Sequence, residues 1–257
     1  MVKASRLFVF SAILAAVLGA RSVAGQSPQT AAAPLPDAKD VIARFVAAIG
    51  GADAQMSIKS LRARGTCEVP SQMVSGTVEI LEARPFNLLL NQELKAIGHV
   101  ETGYNGTIGW SLDSLTGPAL LTGKELTELR DDADFDGLLH LPGRVAQMTT
   151  MARAEFDGRP ALKVKVVFTS GNEQMEFFDV ETGFQIGTET QRDNVLGTTA
   201  VTEIMRDYKK FGRLFQPTTL IERSMGIDQV THITSFEYDV VPATAFDPPP
   251  AIKALIK

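Results

Sequence analysis

From Ser60 onward the side chains alternate between apolar and polar, and this period-two pattern is the feature that most constrains the fold. The clearest run is "ALKVKVVF" at 161–168, in which apolar residues alternate with Lys163 and Lys165. Tight-turn signals such as Asn105-Gly106, for which we expect a type I′ hairpin, and Asp157-Gly158 separate successive runs. Strands with one polar face joined by short turns form antiparallel sheets. The pattern therefore predicts a β-meander.

Two helical segments interrupt the strands. The first is predicted at 37–49, "DAKDVIARFVAAI", with Asp37 as N-cap and Gly50-Gly51 as the stop. The second is predicted to follow Thr116-Gly117-Pro118, which should end a strand, and to begin at Thr122, which forms a capping-box pattern with Glu125. The expected order is a helix, about five strands, one or two helices, and about six further strands. The economical architecture is a single strongly curved sheet with inserted helices.

The N-terminus has the composition of an export signal. Residues 1–25 combine Lys3 and Arg6, the apolar run "LFVFSAILAAVLGA" and small residues at a cleavage-compatible spacing, which predicts a cleaved Sec-type signal peptide. Residues 26–36 read as a flexible leader rich in Pro and Ala. We expect residues 37–257 to form a single exported domain that does not span the membrane.

Composition and motifs argue against several functions. A net charge of −5 without long like-charge runs argues against a nucleic-acid partner. The three histidines have no metal-ligand spacing, and no catalytic motif is present, so we expect no catalytic residues, no metal and no cofactor. The lone Cys67 is interpreted as a small core residue rather than a nucleophile. The acidic cluster at 131–136 is interpreted as a solvated helix face or turn rather than a calcium loop.

One face of the predicted sheet carries more apolar side chains than two helices cover easily. The sequence leaves two explanations open: an ordinary sandwich core, or the wall of a cavity for an apolar ligand. The candidate wall residues are Val78, Ile80, Phe86, Leu88, Leu90, Ile108, Trp110, Leu112, Leu162, Val164, Val166 and Phe168.

Four segments in order resemble the bacterial periplasmic lipoprotein carrier (LolA-like) family. They are "SGTVEILEARPFNLLL" with its Arg-Pro step, "YNGTIGWSLDSLTGPALLTG" with one Trp, "MEFFDVETGFQIGTETQRD", and the ending "VPATAFDPPPAIKAL". The resemblance implies a mainly β (α+β) fold, in which a curved antiparallel sheet forms a half-open barrel under a helical lid. It also implies a periplasmic location and the carriage of acyl chains. Within it, Arg84 matches the arginine linked to lid closure, and residues 122–141, including Leu126 and Leu129, match the lid.

The leading hypothesis is a monomeric periplasmic carrier for lipid or lipidated protein, without catalysis. The alternative is an envelope sensor of the same fold that recognises lipid or lipoprotein and signals to a membrane protein partner. A hydrolase, which would need a histidine and carboxylates to converge in a pocket, is the third hypothesis.

Overall fold

The computed structural model describes residues 34–95, 97–194 and 197–256. The predicted signal peptide and residues 26–33 of the predicted leader lie outside the described residues. The first predicted helix is present as α1, Ala38–Ala48, and the Asp37 side chain caps it by accepting a hydrogen bond of 2.8 Å from the Lys39 N–H. The remaining helices are α2 (Ala52–Met56), α3 (Gly123–Asp132) and α4 (Pro250–Lys253).

Thirteen strands form one sheet, in which every hydrogen-bonded pair of neighbours is antiparallel. The strands before α3 are β1 (Ser60–Val69), β2 (Val74–Ala83), β3 (Asn87–Leu94), β4 (Gly98–Asn105), β5 (Gly109–Asp113) and β6 (Gly117–Leu121). Those after it are β7 (Val145–Phe156), β8 (Arg159–Phe168), β9 (Glu173–Asp179), β10 (Gln185–Asn194), β11 (Gly197–Arg206), β12 (Lys209–Phe211), β13 (Leu214–Gln216), β14 (Thr219–Ser224) and β15 (Ile227–Tyr238). The order across the sheet is β6-β5-β4-β3-β2-β1-β15-β14-β11-β10-β9-β8-β7, and β12 and β13 form a separate hairpin.

The sheet is strongly curved. Helix α3 contacts β5 on one side and β10 on the other, although these strands are eight steps apart in the sheet order. At about 4.8 Å per step a flat sheet would separate them by about 38 Å, whereas a ten-residue helix is only about 15 Å long. The sheet must therefore wrap around α3, with β6 and β7 as its two free edges. The predicted fold class, a mainly β chain built on one curved and unclosed antiparallel sheet, is confirmed.

The concave face holds the main core. Residues of β1–β4 and of β8, β9, β11, β14 and β15 pack there against α1 and α3. Phe45 of α1 is fully buried, and its ring centroid lies 5.4 Å from that of Phe178 on β9. Helix α1 thus fills one part of the concave face, and α3 covers another.

The convex face carries a second, smaller cluster over β2–β6. Trp110, Leu81 and Leu89 pack there against Phe246 and Ile252 of the C-terminal segment. The strand register explains why this cluster is separate from the main core. Gly103 pairs with both Leu89 and Trp110, so all three residues point to one face of the sheet. Leu88 pairs with Tyr104 and faces the concave side.

Three local predictions differ from the structure. The strand before Thr116-Gly117-Pro118 ends earlier, at Asp113, and Gly117-Pro118 begins the edge strand β6, where Pro118 needs no outer hydrogen-bond partner. Thr122 is the N-cap of α3 by position, yet its side chain makes no capping hydrogen bond. The turn after Asn105 has a positive φ at Gly106 alone, so it lacks the second positive φ that a type I′ turn requires.

Candidate functional site

Most of the predicted wall residues lie together on the concave face. Seven are buried in its core: Val78, Ile80, Leu88, Leu90, Leu162, Val164 and Val166. Phe86 and Phe168 are half-buried at the rim of the same core. The structure therefore assembles one continuous apolar surface from two distant parts of the chain, and in this conformation the helices cover it.

The tryptophan strand is the exception. Ile108 and Trp110 pack in the convex cluster under the C-terminal segment, and Leu112, two residues from Trp110 on the same strand, shares that face. The expectation that these three residues line the concave surface is wrong. The alternation along β5 places these three residues on one face, as expected, but that face is the convex one. The residue of β5 that faces the concave side is Gly109, which lies beneath α3.

Helix α3 covers the concave face with its apolar side. Leu129 is fully buried, and Leu126 is half-buried. A Cβ atom placed on Gly109 would lie 2.8 Å from Leu126 Cδ1 and 2.9 Å from Leu129 Cδ2, so only glycine allows the helix to sit this close to β5. Leu126, Leu129 and Ala133 supply the underside of what we call the lid segment, residues 122–141.

Arg84 joins the lid segment to the opposite part of the fold. Its guanidinium donates to the carbonyl oxygens of Ile58 at 2.7 Å and Gln55 at 3.0 Å, and it pairs with the Asp136 carboxylate. The same group lies 5.0 Å from the centroid of the Phe135 ring. The lid contact predicted for Arg84 is thus present, but it runs through a side-chain carboxylate, and the carbonyls that Arg84 binds lie outside the lid segment.

The acidic cluster of the lid segment is paired rather than solvated. Asp131 Oδ2 accepts hydrogen bonds of 2.6 Å from both Ser170 and Asn172, and Asp134 lies 3.4 Å from the Arg144 Nε atom. The interpretation of residues 131–136 as a solvated face is therefore wrong. These carboxylates attach the lid segment to loops and strands of the sheet.

The most buried of these contacts is between Asp132 and Arg192 of β10. The Arg192 Nη2 atom donates to Asp132 Oδ1 at 2.8 Å, and both side chains are largely shielded from solvent. Burial by itself disfavours the charge, but the carboxylates of Asp132, Glu128 and Glu222 outweigh it, so the pKa of Arg192 is raised. Lys124 adds a second link to β10 through Asp193 at 2.9 Å.

His140 anchors the far end of the lid segment on the concave face. Its Nδ1 atom lies 2.9 Å from the Leu138 carbonyl oxygen, and its Nε2 atom lies 2.9 Å from the buried carboxylate of Glu176 on β9. The histidine–glutamate pair therefore holds the turn Gly137–Leu139 against the sheet.

An open cleft of about 480 Å³ lies beside α3, between the lid segment and the ends of the sheet. Phe86, Tyr104, Leu126, Val145 and Phe168 form its apolar lining. Hydroxyl and charged groups surround this lining, among them Arg130 and Arg144. The volume is within the range of about 300–1,000 Å³ typical of ligand pockets.

The other chemically notable residues do not gather at this cleft. Cys67 is buried, and burial raises the pKa of its thiol against the opposing hydrogen bond from Gln92. His99 contacts Glu93 and Glu101 on β3 and β4, while His232 lies beside Thr219. Within the described residues, no group of three or more His, Cys, Asp or Glu side chains is arranged to hold a metal ion. None of the described helices has the length and apolar character needed to cross a membrane.

Comparison with known proteins identifies the fold. No family model and no curated protein matches the sequence. A LolA superfamily protein from Nitrosomonas europaea has a similar structure, with a TM-score of 0.55 at 12% identity, covering 83% of this chain and 99% of that one. A DUF1329 family protein from Desulfovibrio piger matches with a TM-score of 0.55 at 10% identity, over 83% and 98% of the two chains.

A third similar structure is a putative outer membrane lipoprotein-sorting protein domain from Vibrio parahaemolyticus. Its TM-score is 0.51 at 9% identity, and the match covers 82% of this chain and 96% of that domain. The chain is therefore a divergent example of the LolA-like fold. At these identities the likeness defines the fold, and the ligand has to be argued from the site.

Proposed function

We propose that this chain is an exported, monomeric carrier that binds lipidated protein or another acyl ligand on its concave face, beneath the lid segment. The location we propose is the periplasm, and the activity is binding and release without catalysis. The observation that supports the proposal most directly is the cleft of about 480 Å³ that opens beside α3 and leads to the apolar concave surface.

Many of the contacts that attach the lid segment to the sheet are of a kind that can open and close. Several of its contacts with the sheet are ion pairs or polar hydrogen bonds, including Lys124–Asp193 and Asp136–Arg84. Partly exposed pairs of this kind contribute only about 0–1 kcal/mol each, because water replaces the partner when the pair opens. Apart from the buried pairs Asp132–Arg192 and His140–Glu176, which anchor the segment, the apolar underside is the costly part to expose.

An acyl chain can replace that underside. Burying one leucine side chain is worth about 1.5–3 kcal/mol, and each buried methylene about 0.8 kcal/mol. The loss of contacts by Leu126 and Leu129 is therefore offset by roughly four to eight methylenes of a ligand. A twelve-carbon chain exceeds that number, so ligand binding would favour the open lid, and release would return the closed state.

The test is to measure ligand occupancy and then to block the cleft. Protein purified from an exporting host should yield acyl lipids in its organic extract, and the delipidated protein should bind dodecanol in calorimetric titration. Thr127→Trp places a large ring in the cleft and should abolish binding, whereas Thr116→Trp at the exposed β5–β6 turn should not. An extract no richer in lipid than that of a control protein, together with no dodecanol binding, would sink the proposal.

The sensor alternative is tested separately by affinity capture from an envelope extract. A sensor should retain one membrane protein in a stoichiometric amount, whereas a carrier exchanges its cargo. Retention of one such partner by both the wild type and Thr127→Trp would favour the sensor.

A further inference from the structure

The two arginines at the cleft lie over the same aromatic ring. The Arg144 guanidinium is 4.1 Å from the centroid of the Phe86 ring, and that of Arg130 is 5.7 Å from it. A guanidinium near an aromatic face is attracted by the ring's quadrupole, so Phe86 helps to hold two like charges close together. The result is a pair of guanidinium groups beside the apolar lining of the cleft, which also includes the carboxylates of Asp131 and Asp134.

The two positive charges differ in how far they are compensated. Arg144 lies near Asp134, at 3.4 Å, which neutralises part of its charge. Arg130 is exposed on α3, and in the described part of the chain no carboxylate lies within 4.0 Å of it. The Asp131 carboxylate also lines the cleft and keeps its negative charge, but its hydrogen bonds come from Ser170 and Asn172. Among the described residues, Arg130 is therefore the cleft arginine that forms no ion pair.

Charge and shape together define a ligand class. We propose that the cleft selects single-chain amphiphiles with an anionic headgroup, a carboxylate or a phosphate, over neutral ones. The acyl chain would pass Phe86, Leu126 and Phe168, and the headgroup oxygens would accept hydrogen bonds from Arg130 and Arg144. A guanidinium can donate two parallel hydrogen bonds to two oxygens of either oxyanion, and such charge-assisted bonds are stronger than neutral ones. This inference rests on the proposed function and adds the headgroup to it.

The experiment compares three ligands of equal chain length: dodecanol, dodecanoate and dodecyl phosphate. Each is titrated into delipidated protein below its critical micelle concentration. At least one anion should bind about tenfold or more tightly than dodecanol, and this preference should weaken as salt is added. The arms with carboxylate and phosphate distinguish a free fatty acid from a phosphorylated lipid.

Variants assign the preference to the two arginines. Arg130→Gln with Arg144→Gln should abolish the preference for anions, so that the ratio of anion affinity to dodecanol affinity falls to about one. Because Arg144 also contacts Asp134 and Phe86, the single variant Arg130→Gln is measured beside the double one, and thermal unfolding checks that both remain folded. Arg213→Gln is the matched control, because Arg213 is exposed on the β12–β13 turn and contacts only Ser57 among the described hydrogen bonds.

The outcomes separate the two proposals. If all three ligands bind the wild type with equal affinity, or if the preference for anions survives in the double variant, the headgroup inference is overturned while the carrier function stands. If none of the three ligands binds, both proposals fail. A preference that is lost in Arg130→Gln and kept in Arg213→Gln supports the inference.

Discussion

The indole ring of Trp110 lies directly over Gly103 on the neighbouring strand. A Cβ atom at Gly103 would lie 2.1 Å from Trp110 Cζ2, far inside any real contact. The Trp110 Nε1 atom donates to Glu101 at 2.6 Å, which fixes the ring in this position. The pairing of β4 with β5 therefore determines where the convex cluster forms. The core on the concave face is built from other residues.

Gly103→Ala should therefore destabilise the fold without changing ligand binding. The added methyl group has to displace a fully buried ring, and overpacking of this kind costs about 1–3 kcal/mol. Urea unfolding measures the loss, and dodecanol titration of the folded variant measures binding. In a Trp110→Leu background the same substitution should reduce stability much less, because the indole ring that the added methyl group would meet is absent. An equal cost in both backgrounds would contradict the packing described here.

Trp110 should also be insensitive to ligand. It is fully buried on the convex face under the C-terminal segment, away from the cleft. Added dodecanoate should leave the emission of the wild type unchanged, whereas a reporter introduced by Thr107→Trp at the rim of the cleft should shift its emission to shorter wavelength. A shift in the wild-type emission would mean that ligand reaches the convex cluster, and the cleft would not be the binding site.

Trp110 illustrates what the sequence determines and what it does not. Period-two alternation correctly groups Ile108, Trp110 and Leu112 on one face, since this depends only on strand geometry. Which face is buried beneath the lid depends on the register with β4 and on the C-terminal segment, and neither is encoded in the strand itself. The small residue Gly109 was the available signal, because a helix can approach a strand closely only where no side chain intervenes.

For the lid segment, too, the sequence predicts some features and not others. Its position and its two helical pieces follow from local pattern, although α3 ends at Asp132 and Gly137 begins the second piece. The partners of its carboxylates do not, because Arg84 and Arg192 come from distant parts of the chain and Arg144 from the loop that follows the segment. An acidic run without visible partners in sequence is usually solvated, and only the curvature of the sheet brings these arginines to it. For the same reason the cleft arginines Arg130 and Arg144 were not predicted.

Asp136→Asn should make ligand uptake faster. The substitution removes the ion pair with Arg84 while leaving the hydrogen bonds from Arg84 to Gln55 and Ile58 in place. Arg84→Leu would instead leave both carbonyls without this donor, which confounds opening with loss of stability. Because the bound ligand holds the lid open, loss of a closed-state pair worth up to about 1 kcal/mol should speed ligand uptake and raise the affinity by up to about fivefold.

Stopped-flow binding of a fluorescent fatty acid measures this rate. Asp228→Asn is the control, because Asp228 forms a comparable pair with Arg223 on the β14–β15 hairpin, apart from the lid segment. An unchanged rate in folded Asp136→Asn would remove this ion pair from the account of lid opening.

Acid should weaken the turn between β9 and β10. Burial alone would raise the pKa of Asp179, but hydrogen bonds from Thr182 and Glu181 and the nearby Arg159 outweigh it, so the pKa is lowered. A carboxyl group whose pKa is lower in the folded state stabilises the fold above its unfolded pKa. That contribution is lost as the pH falls through the folded value.

Asp179→Asn should consequently lower the free energy of unfolding at pH 7 by about 1–3 kcal/mol. The difference from wild type should shrink below about pH 4, where the wild-type carboxylate begins to protonate. Urea unfolding across this range measures both effects. Glu155→Gln, at an exposed carboxylate of the edge strand β7, should show neither. A difference that persists unchanged into acid would mean that Asp179 acts through shape rather than charge.

Gly109→Ala tests whether the lid segment moves at all. Its new methyl group would meet the tips of Leu126 and Leu129 at 2.8 and 2.9 Å, so α3 has to retreat slightly from β5. Leucine tips can shift, so the cost in stability should be smaller than that of Gly103→Ala, in which the added methyl group meets a rigid indole ring.

If the closed lid competes with ligand, weakening the closed state should raise the affinity for dodecanol and accelerate exchange, because less free energy is spent on opening the lid. If instead the concave face is an ordinary core, Gly109→Ala should lower stability and leave binding untouched. The two glycine variants, one on each face of adjacent strands, therefore separate a moving lid from a fixed core: only Gly109→Ala should change ligand affinity, although Gly103→Ala should be the less stable protein.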